Sequence, residues 1–246
     1  MSLPVTWADA PGAPPWFVVT LALAGAVVGE VLRRRLATGG YRLDDELDRP
    51  PRLSSVAVPV ALALLWGMVG WRFGPLAGWA LAPAYLGFAF VAVALAWIDA
   101  DVHRLPRGLT RPAYPMLLGQ LALASLASGD WDALRRAVVA GVVLWAIYFV
   151  LALVAALLGS GFGLGDVTLA GLVGLASGYV SVSTTLVASY AAFLLAGLYG
   201  VVRLVLRRGT RKDDIAFGPW MLVGAWIGIF WGDLAWHGYA SLLGLS

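Results

Sequence analysis

The sequence predicts an all-α fold, a polytopic bundle of about eight membrane-spanning helices. Three observations predict it. Of 246 residues, 61% are hydrophobic and only 13% are charged, whereas a soluble domain carries roughly 45–50% and about 25%. The mean hydropathy is +0.83. The apolar residues fall in runs of the length that one helical crossing needs, about 20 residues. No run reads as a paired strand, and an open sheet edge cannot sit in hydrocarbon. This composition excludes a disordered chain, which needs low hydrophobicity.

Taken in order, the first span is Trp16–Leu32, closed by Arg33, Arg34 and Arg35. No basic residue precedes it. A cleaved signal has a positive start, so this span is expected to be retained. Residues 33–54 read as a short cytoplasmic loop with Asp44, Asp45, Glu46 and Asp48 at its centre. That loop is too short and too polar for a catalytic domain, so residues 1–246 read as a single membrane domain. The second span is Val56–Trp71, ending at Arg72. The third is Trp79–Ile98, ending on Asp99. The fourth, Pro112–Ala127, and the sixth, Val167–Val180, are the short ones. The fifth is Ala137–Leu158, entered from Arg135 and Arg136. The seventh, Thr185–Leu206, runs into Arg207 and Arg208, and the eighth is Phe217–Trp236.

Eight spans place alternate loops on opposite sides. The ends of the first, third and seventh spans and the loops after them hold 14 of the 17 Lys and Arg. The other three are Arg72, Arg135 and Arg136. Basic residues favour cytoplasmic loops, so that face is cytoplasmic and both termini lie outside. The net charge of +3 is thus a topology signal with anionic lipid as a secondary contact, and not a nucleic-acid surface. There is no cysteine, which excludes disulfides, thiolate metal sites and a Cys nucleophile. No metal-ligand spacing appears, and no cofactor is expected.

An acid within a span or at its end costs a few kcal/mol and marks a candidate functional site. Five of the 14 acids fall there: Glu30, Asp99, Asp101, Asp166 and Asp233. Glu30 precedes Arg33 and Arg34 at helical offsets that suit a local ion pair. Asp233 precedes His237 by four residues, which suits a helix-face hydrogen bond. Asp99 follows the apolar run Val91–Ile98, and Asp166 follows Gly161-Phe162-Gly163-Leu164-Gly165. The alternation puts both at cytoplasmic ends of separate spans. Two carboxylates that share a site share one proton. The ionised one then activates a water, and the protonated one donates to the developing oxyanion. The glycines before Asp166 allow unusual backbone geometry or close approach of another segment. Gly174 and Gly178 read as a packing surface. His103 reads as a loop residue.

These residues resemble a family. Gly163-Leu164-Gly165-Asp166 is similar to the GxGD motif of the intramembrane aspartyl proteases. With Asp99 seven residues before Pro106 in Leu105-Pro106, and with Ile215-Ala216-Phe217-Gly218-Pro219, it resembles the type IV prepilin peptidases. The resemblance covers roughly residues 55–230. It implies Asp99 and Asp166 as the catalytic pair, with Asp101 a neighbouring polar residue and Gly163, Gly165 and Pro106 shaping the site. It implies a prepilin-like or pseudopilin-like substrate with a basic leader and an apolar helix, in the bacterial cytoplasmic membrane, cut at the cytoplasmic face. Larger members carry a cysteine-bearing insert between the first two spans, linked to N-methylation; this chain has only the short loop. Peptidase activity without methyltransferase activity is the expectation. Arg107, Thr168 and Ala216 depart from the family text. A proton-coupled transporter with intramembrane carboxylates is the alternative reading, and a non-catalytic assembly protein is a third.

Overall fold

The computed structural model describes residues 13–43, 46, 56–74, 80–158, 163–206 and 216–242. Among these residues there are eight helices and no strand: α1 (Pro15–Ala37), α2 (Ala57–Arg72), α3 (Ala82–Val102), α4 (Arg107–Ser128), α5 (Trp131–Leu157), α6 (Leu164–Val180), α7 (Val182–Val205) and α8 (Gly218–Leu242). Four of them, α1, α3, α5 and α7, are long and apolar enough to cross a membrane, while α2 and α6 are shorter apolar helices. The all-α multi-pass architecture is therefore the one the sequence predicts. Several boundaries differ: α3 runs to Val102 instead of Ile98, α5 starts at Trp131 instead of Ala137, α8 runs to Leu242 instead of Trp236, and two further ends bear on the site. α1 runs to Ala37, so the first residues of the expected 33–54 loop are helical. α4 starts at Arg107, five residues before the expected Pro112. Pro106 caps it in an extended conformation, and its carbonyl accepts the N–H groups of Leu109 and Thr110 at 3.0 and 3.1 Å. Pro112 and Pro115 lie inside this helix.

The chain forms two compact units, one of residues 1–102 and 106–131, the other of residues 103–105 and 132–246. In the first, α1 and α2 touch backbone to backbone. A Cβ at Gly29 would stand 2.5 Å from the Pro59 Cα, and one at Gly25 would stand 2.7 Å from the Leu62 carbonyl oxygen. α2 meets α3 through Phe73 stacked on Tyr85 at 4.5 Å, and the Trp66 indole donates to the Leu86 carbonyl at 3.2 Å. Small residues are what permit such approach where lipid removes the hydrophobic driving force between helices.

The second unit repeats this device. A Cβ at Gly174 would stand 2.5 Å from the Ala140 carbonyl oxygen, and one at Gly178 would collide with the Ala140 Cβ. The packing reading of that glycine pair holds, and its partner helix is α5. Three further glycines of α8, Gly224, Gly228 and Gly232, seat the backbone of α7 between Thr184 and Ala192. Tyr148 of α5, Phe193 of α7 and Phe217 before α8 form one aromatic cluster, with ring centres 5.2 to 6.2 Å apart.

α1, α5 and α7 turn long rows of apolar side chains outward, among them Val19, Leu23 and Val27, Val142, Ile147 and Val150, and Leu194, Leu198 and Val201. A water-facing surface would not carry such rows; lipid would. Trp16, Trp71 and Trp131 are exposed at helix ends, where an interfacial belt places them. α3 is the enclosed exception among the long helices, with 67% of its apolar window buried. α6 is enclosed as well: Val167 and every residue from Leu169 to Tyr179 are buried.

Candidate active site

In the first unit the residues of interest lie at the end of α3. Asp99 and Asp101 stand in its last turn, and both are buried, at 5% and 6% exposure. A helix C-terminus carries partial negative charge and is an unfavourable place for an acid. For Asp101 the compensation is visible. Its Oδ2 accepts the Arg42 Nη2 at 2.6 Å, the Arg42 Nε at 2.9 Å and the Tyr41 hydroxyl at 2.7 Å. Asp101 is therefore engaged with the chain just beyond α1, in keeping with a neighbouring polar role. Arg42 was legible only as one loop cation among several. Its partner is 59 residues away, and no local pattern announces that. After α3, His103 is exposed in the left-handed region at φ 53°, and Pro106 opens α4.

In the second unit the three residues Gly163, Gly165 and Asp166 build the start of α6. Gly163 is the N-cap, with φ −75° and ψ 134°, a conformation open to any residue. Its carbonyl accepts the Asp166 N–H at 3.0 Å. The expectation of unusual backbone geometry is thus not met at Gly163, while Gly161 lies outside the described residues. Gly165 supports the close-approach alternative, because its added Cβ would lie 3.1 Å from the Leu105 Cβ and 3.3 Å from its Cδ1. Leu105, half of the Leu-Pro pair, thus packs on the glycine that precedes Asp166. Asp166 is half-buried at the third position of α6, where the positive end of the helix dipole favours negative charge. Tyr148 lies within electrostatic reach of Asp166. The Phe217 ring lies 6.2 Å from that of Tyr148 in a tilted arrangement, which brings the third motif to the residue that faces the Asp166 charge.

The remaining acids of the spans have structural duties. Glu30 takes Arg33 at 2.6 Å and Arg34 at 2.9 Å, the local pairs its spacing predicts. The Asp233 carboxylate instead accepts the Ser181 and Ser183 hydroxyls at 2.6 and 2.5 Å. It is the Asp233 backbone carbonyl that meets the His237 ring nitrogen, at 2.6 Å. Ser181 also caps α7 by accepting the Thr184 N–H at 3.0 Å, so this cluster ties α8 to the entry of α7. No group of three or more His, Cys, Asp or Glu that could hold a metal occurs among the described residues.

A family profile described as the type IV leader peptidase family matches residues 86–201, a segment that contains Asp99 and Asp166. The chain is 34% identical to a prepilin leader peptidase/N-methyltransferase of Escherichia coli over 194 residues, covering 78% of this chain and 77% of that protein. It is 34% identical over 191 residues to a protein of the same name from Pseudomonas aeruginosa, covering 77% of this chain and 62% of the relative. A Pseudomonas putida relative of that name is 32% identical over 76% of this chain and 62% of its own length. The chain thus spans about three-fifths of the length of the Pseudomonas relatives. No solved structure matches it.

Proposed function

Because the chain belongs to the type IV leader peptidase family, we propose that it is a membrane aspartyl endopeptidase removing the N-terminal leader of prepilin-like or pseudopilin-like proteins. The single observation that carries this reading is the family match over residues 86–201, which takes in both the Asp99 and the GxGD segments. Asp99 and Asp166 are the catalytic pair of this proposal. Cleavage falls on the cytoplasmic face of a bacterial inner membrane, the side that the arginine-rich loops assign to both residues.

The chemistry follows from what two acids at helix ends can do. The pair holds one proton between its carboxyl groups, since two neighbouring carboxylates do not both ionise readily. The pair titrates as a unit, so the two roles belong to the pair and neither is tied to one residue. The ionised carboxylate takes a proton from a water whose oxygen attacks the carbonyl carbon of the scissile peptide. The protonated one donates its proton to the oxyanion as it forms. As the tetrahedral intermediate collapses, one of its hydroxyls returns a proton to the pair while the pair protonates the departing amine, so the new carboxyl terminus and the amine are released and the aspartates are back to one shared proton. The substrate's apolar helix stays in the bilayer, and its basic leader stays in the cytoplasm, drawn toward acidic residues such as Glu46.

The test is co-expression with a tagged Pseudomonas aeruginosa prepilin. Wild-type chain shortens the prepilin by its leader, whereas Asp99→Ala and Asp166→Ala each leave it full-length while reaching wild-type levels in the membrane. Processing that survives either substitution overturns the catalytic pair. An unprocessed prepilin with a proton-coupled solute flux would replace the reading by a transporter.

A further inference from the structure

The contacts of Asp101 set up more than a neutralised acid. Arg42 and Asp101 are both out of solvent, with side chains 9% and 2% exposed. The two guanidinium nitrogens and the Tyr41 hydroxyl converge on one carboxylate oxygen. Tyr41 is also hydrogen-bonded to Trp97, one turn earlier on α3. Burial and the adjacent Asp101 carboxylate push the Tyr41 phenol above its ordinary range. The Asp101 hydrogen bond holds the Arg42 guanidinium still more firmly charged.

Stability does not explain such a pair. Taking both ions out of water costs about what their attraction returns, and apolar residues of similar volume serve at least as well. What a multidentate buried pair does specify is orientation. Trp97 and Asp101 are four residues apart and lie on one face of α3, the face held by residues 41 and 42. Asp99 lies two residues from Asp101, which at 3.6 residues per turn turns it about 200° away. The clamp therefore fixes the rotation of α3 about its own axis from the side opposite Asp99. A side-chain tip about 6 Å from the axis moves by ~1 Å when a helix turns by about 10°. A displacement of about 1 Å at a reacting group can cost on the order of 100-fold in rate.

We propose that Arg42, acting through Asp101, is a positioning residue that sets the rotation of the last turn of α3 and thereby aims the Asp99 carboxylate. This inference rests on the reading of Asp99 as catalytic. It makes Arg42→Gln a turnover defect: kcat falls by about 10- to 100-fold with KM within about twofold of wild type. Arg42→Lys, which keeps the charge but loses the fork, recovers part of that loss.

The experiment uses the full chain in detergent micelles, with tagged Pseudomonas aeruginosa prepilin as the probe, and follows kcat and KM for cleavage. Because a lone buried ion can prevent folding, the decisive variant is the double replacement Arg42→Met with Asp101→Leu, which packs the same space without charge. Its thermal midpoint is expected within a few degrees of wild type while kcat is still reduced at least tenfold. Wild-type kcat in a folded double variant overturns the positioning role. So does a loss in Arg42→Gln that appears in KM alone. Asp99→Ala is run alongside: if it cleaves normally, the catalytic reading of Asp99 fails, whatever Arg42 does.

Discussion

Replacing Arg136 by Ala should destabilise the protein markedly, while the same change at its neighbour Arg135 should do nothing measurable. The last four carbonyls of a helix have no partner within it. In α6 these belong to Ser177, Gly178, Tyr179 and Val180. The Ser181 N–H serves Ser177 at 3.2 Å. Arg136, reaching across from α5, serves the other three at 3.0, 2.8 and 3.3 Å. A hydrogen bond to a charged group contributes roughly 1.5–3 kcal/mol, and a cation at a helix C-terminus adds about 0.3–1 kcal/mol. The three bonds share one guanidinium and do not add, so truncation is expected to cost about 3 kcal/mol. For a chain of this size each kcal/mol moves the midpoint by roughly 2–4 °C. Arg136→Ala should therefore melt about 6–12 °C below wild type. Arg135 pairs with Asp132 at 3.0 Å, and both side chains are 79% exposed; exposed pairs contribute little. The assay is a thermal ramp in one detergent at one scan rate, read by intrinsic Trp fluorescence. Both substitutions remove one positive charge from the same end of α5, so any effect on membrane topology is common to them. Equal losses, or a harmless Arg136→Ala, would refute the capping account.

Gly174→Ala should cost about 1–3 kcal/mol, since its Cβ would meet the backbone of Ala140 and Gly141 and force α5 from α6. Gly197→Ala is its counterpart: nothing lies within 4 Å of that position on α7, so better helix propensity should leave the midpoint unchanged or raised. The two variants, compared in the same thermal ramp, separate close packing from a general intolerance of side chains at helical glycines.

Much of the bundle is legible in the sequence because lipid imposes a one-dimensional rule: a crossing is a long apolar run, and charges mark where it stops. The expected ends fail where that rule is silent. The turn 33–37 is rich in arginine yet helical, because nothing stops α1 until Thr38. The first turn of α4 is polar yet helical, because Pro106 organises it. At the candidate site, Asp99 and Asp166 stood out as acids at the ends of spans, while Gly165 and the Leu105-Pro106 pair were legible only through the family resemblance. The ties made by Arg42, Arg136 and Ser183 were not, since each joins groups 42 to 59 residues apart. Pairings of that kind are set by helix packing, and hydropathy carries no record of them.

The position of Asp99 carries a final prediction, which separates its chemical role from any structural one. Asn has almost the same shape as Asp and cannot ionise. Asp99→Asn should therefore melt within a few degrees of the wild-type midpoint, while prepilin cleavage is lost. Asp166→Asn should lose cleavage too, and with a lower midpoint, because Asp166 stands at the end of α6 that favours negative charge. Activity lost while stability is kept is the mark of a residue retained for its chemistry. An acid kept for packing would give the reverse at position 99, a lower midpoint with cleavage intact. The pair of midpoints, measured beside cleavage on the same preparations, decides between these accounts without any knowledge of the natural substrate.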